Sequence, residues 1–210
     1  EGIARSLDAG VDMIIHCVFR EPDGSYRFRE DLAERIGRQG AYVNPTLHVF
    51  RSLAWALESK KERRGLTPQE QAQQDSYLWM LETGLEHCRR LIQMGLKVIT
   101  GSDSSWGEYK LGNTPHEVQC LAMAGYTPMQ AVTSVTGEAA AALGIDRDVG
   151  TIEGGKEADI VVVDGNPAVD VEDLWNVAEV FQAGRRVDRG SAESRASTRR
   201  LPPDGTPDAV

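Results

Sequence analysis

The chain has 210 residues and a formal net charge of −9. Its Lys and Arg residues form no run dense enough to follow a phosphate backbone. Because of this and the negative net charge, we do not expect nucleic acid as a partner. No apolar stretch approaches the length of a membrane-spanning helix and no signal peptide is visible, so we expect no membrane partner and a cytoplasmic protein.

The cysteines are predicted to be reduced thiols of an intracellular protein. They are odd in number, and no two of them lie at the spacing of zinc ligands. Their positions are Cys17, Cys88 and Cys120. The sequence begins at Glu1 rather than at a methionine, and we expect the natural N-terminus to lie upstream.

The first part of the chain alternates apolar runs with amphipathic segments. A helix end at 1–9 closes at Gly10, and a charged amphipathic helix is predicted at about 29–38. Three apolar runs that stop at polar or turn residues predict strands, at 11–16, 41–43 and 98–100. Strands that alternate with helices favour a parallel sheet with right-handed crossovers. The polar segment 50–66 is predicted to be a solvated surface insertion, and the alternative is that its cations bind a substrate carboxylate.

Three Thr-Pro sequences predict helix starts. The threonine can accept a hydrogen bond from a free backbone N–H, proline suits the first helical position, and Glu or Gln follows three residues after the threonine. These capping boxes begin at Thr67, Thr114 and Thr127. The second box accounts for Glu117, and we expect His116 and His87 to lie on the surface.

The composition changes after residue 148. Short strands divided by Gly and Asn-Pro turns predict a small antiparallel β-layer over 149–189, with a tight hairpin turn at Ala183-Gly184. The predicted strands of this layer are 151–152, 159–164 and 177–181. The segment 190–210 contains almost no apolar residue and is predicted to be a disordered tail. The chain is therefore divided into an α/β region at 1–148, the β-layer and the tail.

Two polar side chains stand where a parallel α/β sheet places its chemistry. His16 ends the first strand and Asp103 follows the third, and the carboxyl ends of parallel strands meet at one edge. An imidazole and a carboxylate suit a divalent ion such as Zn²⁺. One oxygen of Asp103 would bind the ion, and the other would carry a proton from a metal-activated water to a leaving group. The structural alternatives stay open: a histidine satisfied at a strand end, and an aspartate that forms a turn.

Three neighbouring residues extend this hypothesis. Gly101 would allow a close backbone approach beside Asp103. His48 lies just beyond the second strand and Trp106 lies in the loop after the third, so both are candidates for contact with a substrate. The alternative for Trp106 is that it only caps its loop.

Four stretches of the sequence resemble one known family. They are GLKVITGSDSS at 95–105, HEVQCLAMAGYTPMQAVTSVTGEAAAALGI at 116–145, VGTIEGGKEADIVVVDGNP at 149–167 and VAEVFQAGRRV at 177–187. Residues 1–188 thereby resemble the C-terminal half of the amidohydrolase superfamily, in the branch of imidazolonepropionases and metal-dependent, prolidase-like dipeptidases. The resemblance implies an α/β fold, namely strands 6–8 of a (β/α)₈ TIM barrel with part of a small β-sandwich. It also implies one or two divalent metals, with zinc favoured, at the mouth of the barrel.

The resemblance assigns roles to the two polar side chains. His16 corresponds to the sixth-strand histidine that binds the metal, and Asp103 corresponds to the eighth-strand aspartate that is both metal ligand and proton shuttle. Ile15 and Cys17 flank the histidine where the family usually has Glu and Gly, and Ala183 replaces the usual Asn or Asp of the hairpin turn. The first-strand His-x-His pair, the fourth-strand bridging residue and the fifth-strand histidine have no counterpart. We expect them upstream, and we expect this chain alone to bind metal weakly and to be inactive.

The leading hypothesis is a metal-dependent hydrolase of C–N bonds that acts on an amide or a dipeptide. Alternatives within the family are hydrolysis of a cyclic amide and deamination of a heterocycle. A different class also stays open, a catalytically silent scaffold that keeps the fold without the metal. The expected partner is a small-molecule substrate, and a homo-oligomer is left open.

Overall fold

The computed structural model of the chain describes residues 1–104 and 111–188. The helices are α1 (Gly2–Asp8), α2 (Glu30–Gln39), α3 (His48–Arg64), α4 (Pro68–Gln93), α5 (Pro115–Met123), α6 (Pro128–Val135) and α7 (Gly137–Leu143). The strands are β1 (Met13–Ile15), β2 (Tyr42–Asn44), β3 (Ile160–Val163), β4 (Val177–Gln182) and β5 (Arg185–Arg186), and a 3₁₀ helix covers Val171–Trp175. None of the helices in the described ranges is both long and apolar enough to cross a bilayer. The predicted tail at 190–210 lies outside these ranges.

Parallel pairing builds the first sheet in the predicted order. β1 pairs with β2 along its whole length, and a parallel bridge joins Val43 of β2 to Val98. The strand predicted at 98–100 is reduced to this bridge. On the edge of this segment that faces away from β2, the Thr100 N–H donates to the Ser134 carbonyl of α6 at 3.0 Å.

An apolar core lies between this sheet and the helices α2 and α4. In α2 the apolar residues recur at helical spacing, so Leu32 and Ile36 are buried while Arg38 and the acids of the first turn face water. Gly40 ends α2 in the left-handed conformation, with φ 69°. Burial of each leucine or isoleucine side chain contributes about 1.5–3 kcal/mol to the stability of the fold, and this burial holds the helices against the strands. The three cysteines are free and buried, in agreement with the prediction of reduced thiols.

The segment 50–66 is not a solvated insertion, and that prediction was wrong. Residues 50–64 belong to α3, which packs along α4 and buries Trp55. The charges that make it look polar are concentrated toward its C-terminal end, where Lys60 pairs with Glu70 of α4. Its buried face is itself partly polar, since it includes Arg51, and so hydropathy alone does not reveal it.

Two of the three predicted capping boxes are confirmed. Thr67 and Thr127 each accept from the backbone N–H three residues on, and Glu70 and Gln130 return the bond. The helix after Thr114 also begins where the sequence predicts it, but this threonine makes no capping bond. Glu117, the acid of this box, is buried and bonds to the start of α3.

A second, antiparallel sheet follows α7. β3 pairs with β4 and β4 with β5. Ala183 and Gly184 form the predicted hairpin turn, with φ values of 49° and 75°. The strand predicted at 151–152 does not form, and its residues lie in a bend and an irregular segment. The 3₁₀ helix ties this sheet to the first part of the chain, because Val171 packs against Val118 of α5.

Candidate functional site

His16 and Asp103 meet at the carboxyl edge of the parallel sheet. His16 directly follows the last residue of β1, and Asp103 lies shortly after the bridge at Val98. Nε2 of the imidazole is 3.7 Å from Oδ2 of the carboxylate. Both side chains remain open to solvent, at 57% and 37% exposure, so a cation or a small molecule can reach them.

The backbone turns sharply where each of these strands ends. His16 has φ 57° and Asp103 has φ 38°, in the left-handed region that residues other than glycine seldom occupy. Thr46, which follows β2, has φ 51°. A residue with positive φ thus follows each of the three strand ends, at the carboxyl edge of the sheet.

The imidazole of His16 is held on the side away from Asp103. Its Nδ1 lies 2.7 Å from the hydroxyl of Thr46, and the His16 backbone N–H donates to the Asn44 carbonyl at 3.0 Å. The same hydroxyl lies 2.7 Å from the carbonyl of Pro45. With Nδ1 engaged by Thr46, Nε2 is the ring nitrogen that faces the carboxylate.

Gly101 brings β2 close to the turn that carries Asp103. A Cβ atom at position 101 would lie 1.9 Å from Nδ2 and 2.0 Å from Oδ1 of Asn44. No side chain fits at that distance, so only glycine permits this approach. The close approach predicted from the sequence is present, as a contact between a backbone and an amide side chain.

His48, a candidate for contact with a substrate, lies in the interior of this structure. The residue is almost completely buried, and its ring stacks on that of His116 with centroids 4.3 Å apart. Its Nδ1 accepts a hydrogen bond from Nε of Arg51 at 2.8 Å. The helix α3 begins at this residue, and contact of His48 with a substrate stays a prediction. Trp106, the other predicted contact, lies outside the described residues.

Three side chains predicted at the surface or in a cap are buried: His87, His116 and Glu117. Burial lowers the pKa of His116 to about 4 and also lowers the pKa of His87. One signal in the sequence points to this outcome for α5. After Glu117 the helix carries no charge on any face, which is typical of a helix that is covered all round.

The carboxylate of Glu117 joins α5 to the start of α3. Oε1 accepts from the Leu47 N–H at 2.8 Å, and Oε2 accepts from the His48 N–H at 2.6 Å. Complete burial raises the pKa of Glu117 to about 7, although both hydrogen bonds favour the ionised form. The sequence gives no hint of this contact, which spans about 70 positions of the chain.

The two exposed donors fit two positions around a divalent ion. Zinc bonds to imidazole nitrogen and carboxylate oxygen are about 2.0–2.2 Å, so two donors of one tetrahedral ion lie about 3.4 Å apart. The 3.7 Å between Nε2 of His16 and Oδ2 of Asp103 is within a small side-chain rotation of that value. Within 1–104 and 111–188, no group of three or more His, Cys, Asp or Glu side chains could hold a metal ion. The described residues thus supply a partial ligand set.

Comparison with known proteins shows which family this chain resembles. Residues 6–187 match the amidohydrolase family. An imidazolonepropionase from Symbiobacterium thermophilum is 33% identical over 112 residues, which cover 51% of this chain and 26% of that protein. Adenine deaminase 2 from Jannaschia sp. is 32% identical over 132 residues, which cover 60% of this chain and 20% of that protein. The crystal structure of a Xaa-Pro dipeptidase with methionine bound in its active site superposes with a TM-score of 0.70 and 27% identity, covering 89% of this chain and 42% of that one.

The chain spans about a quarter or less of the curated relatives and less than half of the dipeptidase structure. Its mixture of helices and parallel strands agrees with the fold of this dipeptidase structure. The matches confirm the resemblance carried by the four sequence stretches, and members of this family generally use divalent metals.

Proposed function

Because this chain belongs to the amidohydrolase family, we propose that it is part of a metal-dependent hydrolase that cleaves C–N bonds in a small amide or dipeptide. The observation that carries the proposal is the 3.7 Å approach of His16 Nε2 to Asp103 Oδ2 at an edge open to solvent. Similarity to an imidazolonepropionase, an adenine deaminase and a Xaa-Pro dipeptidase supports the class of bond.

The proposal includes a place for this chain in the whole fold. We assign β1, β2 and the bridge at Val98 to strands 6–8 of a (β/α)₈ barrel, within residues 1–148. Their parallel order supports this assignment, with α2 as one crossover and α3 and α4 as the next. We assign 149–188 to part of a small β-sandwich, supported by the exposed apolar side chains of β3, Val161 on one face and Val162 on the other, one of which a second sheet would cover.

His16 and Asp103 are proposed as two ligands of a divalent ion, and their nitrogen and oxygen donors favour zinc. When bound, such an ion lowers the pKa of a coordinated water and polarises a carbonyl oxygen. His16 would bind through Nε2, because Nδ1 faces Thr46. Two donors alone bind weakly, so the remaining ligands are proposed to come from earlier strands of the same barrel.

Asp103 is proposed to move the proton of the reaction. One carboxylate oxygen faces His16, which leaves the other to accept a proton from the attacking water. The same oxygen then delivers that proton to the departing nitrogen, whose bond to the carbonyl carbon breaks. The exposure of this side chain supports access by both water and substrate.

Attack on a ring is the second candidate, as cyclic-amide hydrolysis or as deamination of a heterocycle. It is favoured by the 33% and 32% identity to an imidazolonepropionase and an adenine deaminase. The role of the Asp103 carboxylate would be the same, and only the geometry of the substrate would differ.

The experiment compares Asp103→Asn with Asp12→Asn in the full-length protein. Asp12 is exposed and precedes the amino end of β1, at the opposite edge of the sheet, so it controls for a lost surface charge. Dipeptides, cyclic amides and aminoheterocycles are offered as substrates, and zinc content is measured. We expect kcat to fall about 10²–10⁴-fold in Asp103→Asn, the usual contribution of an acid–base group, and to be unchanged in Asp12→Asn.

Two outcomes would overturn the proposal. Equal activity of Asp103→Asn and the unmodified protein would remove Asp103 from the proton path. A purified protein that holds no zinc, takes up none when it is added, and turns over none of the substrates would instead be the silent scaffold.

A further inference from the structure

The hydroxyl of Thr46 has one proton and two close polar neighbours. The Pro45 carbonyl, 2.7 Å away, can only accept, so the hydroxyl proton is donated to it. Nδ1 of His16, also 2.7 Å away, must then donate its own proton to the hydroxyl oxygen. Nδ1 of His16 therefore carries a proton, and in the neutral imidazole this leaves the lone pair on Nε2, the atom that faces Asp103.

Thr46 is itself held by the first turn of α3. It is buried, and its φ of 51° is a conformation that a β-branched residue seldom adopts without support from its surroundings. The Thr46 carbonyl accepts from the Val49 N–H at 3.4 Å, which makes Thr46 part of the turn that begins the helix. A group that fixes the start of α3 therefore also fixes Thr46.

The start of α3 has no capping side chain of its own. Glu117 of α5 takes that place, with one carboxylate oxygen on the Leu47 N–H and the other on the His48 N–H. The carboxylate is fully buried, so water does not compete for these two donors. Leu47 directly follows Thr46, so the N–H group that Glu117 binds and the hydroxyl of Thr46 belong to neighbouring residues.

We propose that Glu117 is a positioning residue of the site and sets the orientation and tautomer of His16 through the start of α3 and Thr46. Glu117 acts without touching His16, a metal or a substrate. The consequence for metal binding rests on the proposed function, whereas the consequence for the tautomer does not.

The test compares Glu117→Gln with Gln119→Met in the full-length protein. Gln119 is equally buried on the same helix, and its bonds go to His116, Arg51 and Glu172 rather than to the N–H groups at the start of α3. The ¹⁵N spectrum of the metal-free protein reports which nitrogen of His16 carries the proton, and competition with a chelator gives the Kd for Zn²⁺ alone. We expect Glu117→Gln to mix the two tautomers and to raise the Kd about 10–100-fold, with no change in Gln119→Met.

A second pair of variants tests the contact between the Thr46 hydroxyl and Nδ1 of His16. Thr46→Val keeps the branched shape and removes the hydroxyl, whereas Thr46→Ser keeps the hydroxyl. We expect the valine variant to lose the Nδ1–H preference and to bind Zn²⁺ about 10–100-fold more weakly. The serine variant should restore the tautomer of the unmodified protein, a rescue that a purely structural role would not produce.

An unchanged tautomer in both Glu117→Gln and Thr46→Val would overturn the proposal. If Glu117→Gln does not fold, hydrogen exchange in the unmodified protein decides. The Leu47 and His48 amides should be protected as strongly as the interior of α3, and fast exchange at both would overturn the role of Glu117.

His16→Gln separates this proposal from the proposed function. Zinc binding that survives in His16→Gln, together with a tautomer shift in Glu117→Gln, would reject the metal role and leave the positioning role intact. Zinc binding that requires His16 but ignores both Glu117 and Thr46 would reject the positioning role alone.

Discussion

The imidazole rings of His48 and His116 stack in the interior, with centroids 4.3 Å apart and planes inclined by 20°. Arg51 adds a cation to the pair, since its Nε donates to His48 Nδ1 and its Nη2 donates to the His116 carbonyl, each at 2.8 Å. Burial, followed by this neighbouring cation, lowers the pKa of His116 to about 4 and holds that of His48 far below its ordinary value. Both rings are therefore neutral in the folded protein at neutral pH.

Acid should destabilise the protein through this pair. Histidines of the unfolded chain take up protons below about pH 6.5, whereas folded His116 stays neutral down to about 4. The stability that each neutral ring supplies is complete above about pH 6.5 and falls by about 1.4 kcal/mol per pH unit below it. Urea unfolding at a series of pH values should show a shallower fall for His116→Gln. Equal slopes for His116→Gln and the unmodified protein would contradict the assignment.

Glu117 should give the opposite pH dependence. Its folded pKa of about 7 lies above the ordinary 4.5, so the folded protein retains a proton that the unfolded chain has released. The stability that comes from the protonated carboxyl group is complete below pH 4.5 and is lost as the pH rises through about 7. Between about pH 5 and about pH 8 the unmodified protein should lose stability, whereas Glu117→Gln should not. The free energy of unfolding of the variant should therefore rise relative to that of the unmodified protein. Glu62→Gln, at an exposed position, is the control, and a constant difference for Glu117→Gln would reject the raised pKa.

Gly101→Ala should destabilise the fold by about 1–3 kcal/mol, the usual penalty of overpacking. The new methyl group would overlap the Asn44 amide, which a Cβ would approach to 1.9 Å. Gly37→Ala is the matched control, because its methyl group would meet only Leu96 at 3.8 Å, and it should stabilise α2 by up to about 1 kcal/mol. Thermal unfolding measures both. Combining Gly101→Ala with Asn44→Ala should recover most of the loss, and purely additive losses would show that the overlap is not its cause.

Thr67→Ala should cost about 1 kcal/mol of stability, because Thr67 accepts a capping bond from the Glu70 N–H. Thr114→Ala should cost close to nothing, although it lies in the same sequence pattern, because Thr114 makes no such bond. Chemical denaturation of the two variants provides a direct comparison. A similar loss for both would mean that α5 is capped by its own threonine after all.

The strand ends could be predicted because their signals are local. A short apolar run followed by a polar residue marks both His16 and the approach to Asp103, and the glycine at 101 marks the tight contact with Asn44. The capping boxes at Thr67 and Thr127 are equally local, since the bonds they describe span three residues. Predictions of this kind succeed where neighbours in sequence are also the partners in space.

The polar interior could not be predicted in the same way. The pattern at 114–117 is identical in kind to the other two boxes, yet Glu117 is taken by the start of α3, about 70 positions away. Burial of Arg51 and His116 likewise depends on the meeting of α3 and α5, which hydropathy along the chain does not record. Competition between a local and a distant partner is settled only by tertiary packing.

The left-handed conformations at His16, Thr46 and Asp103 lower the stability of the fold at positions whose side chains carry the polar groups of this edge. Each such conformation costs the folded state on the order of 1–3 kcal/mol when a residue other than glycine adopts it. Substituting glycine at any of the three would relieve that cost and delete an imidazole, a hydroxyl or a carboxylate. Selection of this protein for heat resistance alone should therefore replace these three side chains early.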